Sequence, residues 1–261
     1  MVLAMELRVL GCQGGSAPKR HLPGLLLDGT VLLEAGSVTS TLELNEQLEI
    51  RHVLLSHAHL DHTGGLAYLA DNHCCDRAGS GNDQGLTVCS IAPVVQDLRD
   101  HFFNDRLWPD FSAIPTARNP VVRLQALRLG VPQPIGHRLT VIPVPVNHTV
   151  PTAGFIVDDG TGALVFSGDT GPTERLWTLA RELGNVRAII VETSFPNRLE
   201  GLAEVSGHLT PSQLAWELDK MPPCPVWVYH IKPRFYDETV NELTRLDGPV
   251  RVLSDGEVHV L

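Results

Sequence analysis

The stretch His57-Ala58-His59-Leu60-Asp61-His62 decides how this chain is read. It places four metal-competent side chains within six residues, directly after the apolar run Val53-Leu54-Leu55. Imidazole and carboxylate donors together suit zinc, manganese or iron, and an open site built from them favours hydrolysis. A tight turn after a strand would aim two of these ligands at one metal and two at another, the arrangement of a two-metal hydrolytic site. A solvated histidine-rich loop has the same composition, but it would recruit no partners elsewhere in the chain.

Partners are present. Short runs rich in Val, Ile and Leu recur at residues 7–10, 25–33, 53–55, 88–91, 139–146, 155–157, 163–166, 188–191, 226–229 and 250–253. Their length and composition read as buried strands. Helical patterns lie between some of them, at residues 173–183, 211–221 and 237–246, with Pro172 and Pro211 at helix starts and Thr210 as an N-cap. Asp159-Gly160-Thr161-Gly162 reads as a hairpin turn, and residues 71–85, rich in Gly, Asn and Asp, read as an exposed loop. The mixture implies one layered α/β domain over residues 1–261. Five of the strands finish at a group able to bind metal or move a proton: His57 and His59, then His148, Asp169, Glu192 and His230. Strand ends gathered at one rim would bring these groups together.

The bulk numbers exclude several classes. Hydrophobic residues at 43% and charged residues at 19% describe a globular chain able to bury a large core. A net charge of -10 argues against a broad electrostatic grip on nucleic acid. An anionic small molecule remains open, because bound cations reverse the local sign. The five cysteines form no spaced framework, which points to a reducing, cytoplasmic setting. No signal peptide is read at Met1–Glu6, and no apolar run is long enough to span a membrane.

The histidine stretch resembles the HxHxDH signature of the metallo-β-lactamase superfamily. His148, Asp169 and His230 follow in the order of its later ligands. A narrower resemblance is to the class II cyclic-nucleotide phosphodiesterases. It is carried by five further segments: Phe103-Asn104 with Trp108-Pro109; Gly168-Asp169-Thr170-Gly171-Pro172; Glu192-Thr193-Ser194-Phe195-Pro196-Asn197; Gly207-His208-Leu209-Thr210-Pro211; and His230-Ile231-Lys232-Pro233. Two departures stand out: Thr63-Gly64-Gly65 after the signature, and Glu34-Ala35-Gly36 where an Asp before the glycine is more usual.

The resemblance implies a four-layer αββα sandwich with a dinuclear site at one edge between two sheets. It assigns His57, His59 and His148 to one metal and Asp61, His62 and His230 to the other, with Asp169 bridging. Zinc is the leading metal, with manganese or iron as alternatives. The expected reaction is hydrolysis of a small 3′,5′-cyclic nucleotide, cyclic AMP first, to the 5′-monophosphate. The leaving oxygen needs a proton, and His208 is the candidate donor, oriented by Glu192. Asp61 also joins the catalytic set by orienting the attacking water. Asn104 and Trp108 are candidates for base or ribose, and Thr170 and Ser194 for phosphate. A homodimer is expected only because two-fold assemblies are common. The rivals are a tRNase Z-like nuclease, which the acidic composition disfavours, another phosphodiester hydrolase of the superfamily, and a metal-loaded binding module without turnover.

Overall fold

The apolar runs pair into two seven-stranded sheets. The computed structural model describes residues 4–80 and 84–261. In chain order the strands are β1 (Glu6–Gly11), β2 (Gly24–Leu27), β3 (Val31–Leu33), β4 (His52–Leu54), β5 (Leu86–Ile91), β6 (Pro115–Thr116), β7 (Asn119–Pro120), β8 (Val122–Leu127), β9 (Gln133–Ile135), β10 (Leu139–Pro145), β11 (Ala153–Asp158), β12 (Ala163–Phe166), β13 (Val186–Glu192), β14 (Val226–Tyr229), β15 (Val250–Val252) and β16 (Val258–Val260). The helices are α1 (Val38–Thr41), α2 (Leu44–Glu49), α3 (Leu60–Thr63), α4 (Leu66–Ser80), α5 (Ala92–Asp97), α6 (Arg175–Leu183), α7 (Glu200–Ser206), α8 (Pro211–Leu218) and α9 (Tyr236–Leu243). The first sheet runs β16-β1-β2-β3-β4-β5-β8 and the second β15-β14-β13-β12-β11-β10-β9, while β6 and β7 form a separate ribbon.

Period-two alternation sorts the side chains into layers. In the first sheet Leu25, Leu27, Val31 and Leu33 enter the core between the sheets, while Leu26 and Leu32 face the other way. In the second, Leu164 and Phe166 point inward, and Ala163 and Val165 outward. Val38 of α1 and Leu66, Leu69 and Ala70 of α4 cover the outer face of the first sheet. Leu176 and Trp177 of α6, Leu214 of α8 and Leu243 of α9 cover the second. Two sheets face to face, each backed by helices, make the expected αββα sandwich. Each fully buried large apolar side chain contributes roughly 1.5–3 kcal/mol. A buried polar residue of the outer layer is Glu217. It accepts from Trp177 Nε1 at 2.7 Å and Thr173 N at 3.0 Å, and so ties α6 to α8.

Local chemistry explains the boundaries. Thr210 caps α8 with a reciprocal capping box to Gln213, and Pro211 takes the first helical position. The turn at Asp159 is held by its own carboxylate, which accepts from Thr161 N at 2.8 Å and Gly162 N at 3.0 Å. Three expectations need correction. The run at 25–33 is a hairpin, broken where Asp28 and Gly29 take left-handed backbone. Helix α6 begins at Arg175, three residues beyond Pro172. The expected loop at 71–85 is helical as far as Ser80, with residues 81–83 outside the described residues. Tertiary contacts hold this polar helix: Asn72 donates to Gln47 at 2.7 Å, His73 is buried beside the Gln47 carbonyl, and Arg77 donates to Pro120 O at 2.7 Å. Packing overrides the weak propensity of Gly, Asn and Asp.

Strands β12, β13 and β14 are parallel, and β10, two antiparallel pairings away from β12, runs the same way. Their carboxyl ends therefore share one rim. There Ala153 N donates to Ser56 O at 3.1 Å, stitching the second sheet to the end of β4. Gly168, at positive φ, permits this approach, since a Cβ on it would lie 2.8 Å from Ser56 Cβ.

Candidate metal centre

Each group of the expected set is delivered by a strand end. The β4 strand leads to Ser56 and His57. Glu34, fully buried at the end of β3, accepts from Ser56 N at 3.1 Å and fixes this exit. His59 then stands at the N-cap of α3, whose single turn carries Asp61 and His62. His148 lies just past β10, Asp169 past β12 and His230 directly after β14. His230 takes a φ of 68°, uncommon for a residue with a Cβ, and its N–H donates to Cys12 O at 2.7 Å. A Cβ at Gly14 would collide with the His230 carbonyl, so glycine is required where this loop crosses the site.

These exits converge. One ligand atom each from His57, His59 and His148 lie within 4.8 Å of one another, as do those of Asp61, His62 and His230. Asp169 forms like groups with His57 and His62 and with His208 and His230, so it stands between the two triads. Its Oδ2 lies 3.8 Å from His57 Nε2, 3.3 Å from His62 Nε2 and 3.4 Å from His230 Nε2.

The opposite ring nitrogens are held from outside. His57 Nδ1 meets Ser56 Oγ at 2.9 Å, His148 Nδ1 meets Gly207 O at 2.9 Å, and His230 Nδ1 meets Ser194 Oγ at 2.9 Å. His62 Nδ1 faces Glu34 Oε2 at 3.4 Å. Such partners orient imidazoles and raise their basicity toward a cation. His57 Nε2 is buried without a hydrogen-bond partner among the described residues, an expensive arrangement unless a cation occupies its lone pair. The donors present therefore fit a pair of divalent metals with nitrogen and oxygen ligands.

The charge state agrees. Burial pushes the His57 and His59 imidazoles below their ordinary value, and neighbouring histidines add to the effect. Burial also lowers His230. For His62 burial opposes the charge, but Asp169 and Glu34 outweigh it and hold the imidazole well above its usual value. Burial likewise disfavours the charge on Asp61 and Asp169, yet His230 and His62 overcome it and keep both far down the carboxylate range. Neutral imidazoles and ionised carboxylates are what a cation binds. A cation held by His62 would have to displace the proton that Asp169 and Glu34 favour on that ring.

Beside the cluster stands a second unit. His208 Nδ1 lies 2.8 Å from Glu192 Oε1, with the carboxylate fully buried. Burial alone would lower the His208 pKa, but the Glu192 carboxylate reverses this and raises it. Helix α7 ends at Gly207 in left-handed backbone, and that turn presents His208 to the rim. Lys232 Nζ lies 3.9 Å from Asp61 Oδ2, bringing a positive charge to the same edge.

The four residues expected to touch substrate are each held by contacts within the fold. Asn104 Oδ1 accepts from Arg106 N at 3.1 Å and Leu107 N at 2.9 Å, and its Nδ2 donates to Asp100 O at 3.0 Å, so its amide closes its own turn. Trp108 packs on the core behind the first sheet, edge-on to Tyr68. Thr170 is buried; its hydroxyl accepts from Asn147 N at 3.1 Å and donates to Gly171 O at 2.7 Å, steadying the His148 loop. Ser194 Oγ lies 3.0 Å from Glu192 Oε2, 3.2 Å from His208 Nδ1 and 2.9 Å from His230 Nδ1, a buried link between the proton-bearing pair and the cluster. Two groups escaped the sequence reading. Glu34 was visible only as a departure from the usual Asp. A cleft of about 220 Å³ beside His59, lined by Leu60, Phe102 and Leu107, forms only where segments distant in sequence meet.

Comparison with known proteins places this arrangement. The chain is 31% identical over 215 residues to a probable 3′,5′-cyclic-nucleotide phosphodiesterase of Yersinia pestis, a match covering 71% of this chain and 58% of that one. It is 28% identical over 229 residues to a 3′,5′-cyclic-nucleotide phosphodiesterase of Aliivibrio fischeri, covering 72% and 65%. The chain thus spans about three fifths of the length of these relatives. Among solved structures, unliganded yeast PDE1 superposes with a TM-score of 0.81 at 19% identity, covering 99% of this chain and 100% of that one, a likeness of fold. Residues 34–231, from the buried glutamate behind His62 to the residue after His230, match the family described as the β-lactamase superfamily domain, and to that superfamily this chain belongs.

Proposed function

We propose that this chain is a 3′,5′-cyclic-nucleotide phosphodiesterase that converts cyclic AMP to 5′-AMP with two divalent metal ions, zinc foremost. The observation that carries the reading is the buried Glu192–His208 pair, 2.8 Å apart, set against seven converging metal-type donors. The names of the relatives from Yersinia pestis and Aliivibrio fischeri support the same substrate class. Hydrolysis of an activated ring such as a β-lactam has little use for a dedicated donor to an alkoxide, whereas expulsion of a ribose oxygen requires one.

In this reading His57, His59 and His148 hold one metal, and Asp61, His62 and His230 hold the other. Asp169 Oδ2, which faces three of these imidazoles, would serve both metals. Bound there, a metal pair would supply an activated water and neutralise the phosphodiester oxygens. Asp61 orients the water, and Lys232 adds positive charge on the phosphate side. His208 delivers its proton to the departing ribose 3′ oxygen. Glu192 keeps that proton on the ring and fixes its direction through Nδ1, leaving Nε2 for the substrate. Ser194 holds the pair in register with His230. The assembly is proposed as a cytoplasmic homodimer acting on a small molecule. The net charge of -10 disfavours a nucleic-acid substrate, and no helix among the described residues is long and apolar enough to cross a membrane.

The test is a substrate panel run with metal-quantified protein: 3′,5′-cyclic AMP, 3′,5′-cyclic GMP, 2′,3′-cyclic AMP, a precursor tRNA, a β-lactam and bis(p-nitrophenyl) phosphate. Chelator-sensitive release of 5′-AMP, faster than turnover of any non-cyclic substrate, is expected. Preferential cleavage of the tRNA would transfer the site to a nuclease. Bound metal with no turnover of any diester would make the chain a binding module.

A further inference from the structure

The cleft beside His59 is unlike the rest of the rim. Its walls are Leu60, Phe102, Leu107 and Val150, with Asp97 and His101 at the same opening. Leu60 and Leu107 are 67% and 62% exposed, from two segments far apart in sequence that meet at one small cavity. Exposed leucines paired across a concave surface mark a binding site more often than chance exposure. The cleft also adjoins the cluster directly: His59, one of its walls, faces His148 at 3.5 Å, and Val150 follows His148 by two residues. An occupant of this cleft that carries a phosphate group can reach the donors.

The wall is built for this shape. Residues Leu98–Phe102 form a single π-helical turn directly after α5. Such turns are rare and concentrate at functional positions. The end of α5 and this turn bring Asp97 and His101 to the opening, while Leu98 and Phe102 are buried. Among the described residues neither the Asp97 carboxylate nor the His101 ring has a hydrogen-bond or ion-pair partner, in contrast to Asn104, whose amide is engaged in its turn. An acceptor and a nitrogen donor beside an apolar slot complement the edge of an aminopurine, whose faces are apolar and whose rim alternates donors with acceptors.

We infer that this cleft is the purine subsite of the substrate, with Leu60 and Leu107 closing on the two sides of the base and Asp97 accepting from its amino group. The inference rests on the cyclic-nucleotide reading for the identity of the ligand, and it moves base recognition away from Asn104 and Trp108.

The experiment measures equilibrium binding of 5′-AMP and of ribose 5-phosphate to the metal-loaded protein, in the wild type, Leu107→Ser and Asp97→Ala. The two ligands share the phosphate and differ by the base. The wild type is expected to favour 5′-AMP by about 10–100-fold, the range set by burying an apolar group of this size. In Leu107→Ser that preference should fall at least severalfold. Asp97→Ala should erase the preference for 5′-AMP over 5′-IMP, which carries a carbonyl oxygen in place of the amino group. A wild-type ratio near one, or a ratio unchanged in Leu107→Ser, overturns the subsite; an unchanged 5′-AMP over 5′-IMP preference in Asp97→Ala removes Asp97 from it. Binding is read without turnover, so failure here is distinct from failure of the phosphodiesterase reading, which would appear as absent hydrolysis of cyclic AMP.

Discussion

Replacing Glu192 with Gln isolates the charge of the proton-donor pair while keeping its shape. The carboxylate lies 2.8 Å from His208 Nδ1, is fully buried, and also accepts from Thr170 N at 3.2 Å and Ser194 Oγ at 3.0 Å. A hydrogen bond to a charged partner in such surroundings contributes about 1.5–3 kcal/mol. Gln keeps the contact but removes the charge that raises the His208 pKa, so that pKa falls. Burial already pulls that pKa down, and Glu192 is what raises it, so the direction is fixed. With His208 as the proposed acid, kcat falls as pH rises through its pKa. In Glu192→Gln this fall should move to lower pH. The same shift has a stability arm. A histidine with a raised folded-state pKa contributes stability that is fully present below its unfolded value of about 6.5 and lost as pH rises through the folded value. The variant should therefore lose more stability at acid than at alkaline pH. The assay is kcat against pH at saturating metal, with thermal unfolding of both proteins in parallel. An alkaline limb that stays in place, or moves to higher pH, would refute the pairing as the source of the acid.

His208→Ala should retain its metals and lower kcat on the cyclic nucleotide by roughly 10²–10⁴. The loss should shrink on bis(p-nitrophenyl) phosphate, whose leaving group needs no proton; equal losses on both substrates would remove His208 from the donor role. Asp169→Ala deletes the oxygen that faces three imidazoles, so metal content should drop below two per chain and activity should disappear. Elemental analysis finding both metals in an active Asp169→Ala protein would contradict the bridging assignment. Glu34→Ala strips His62 Nδ1 of its facing carboxylate and should weaken metal binding by about 10–100-fold in a chelator competition.

Much of the site was legible because strand ends are legible. Apolar runs with a ligand-type residue just past them, as at Phe166 before Asp169 and Tyr229 before His230, mark both a buried strand and its rim. The parallel order of β12, β13 and β14 then carries those ends to one place. The Glu192–His208 pair was also readable, since one residue ends a strand and the other precedes a capped helix. What sequence could not supply was the direction of small side chains. Thr170 and Ser194 sit next to site residues in the chain, but the folded backbone turns their hydroxyls to internal acceptors. Asn104 is drawn into its own turn for the same reason: a short amide bonds locally before it can reach a ligand. The helix through residues 71–80 was hidden because its support comes from Gln47 and Pro120, distant in sequence, and not from its own weak propensity. Leu60 lies inside the histidine stretch and Leu107 inside the Asn104–Trp108 segment, but only their meeting at one cavity gives them a shared meaning.

The most direct test of the central claim is a metal titration of chelator-stripped protein, following release of 5′-AMP from 3′,5′-cyclic AMP as zinc is added. Two triads joined by Asp169 predict activity that climbs until two ions are bound per chain and then levels off. Full activity at one ion or none, or no hydrolysis of cyclic AMP once both are bound, would contradict it.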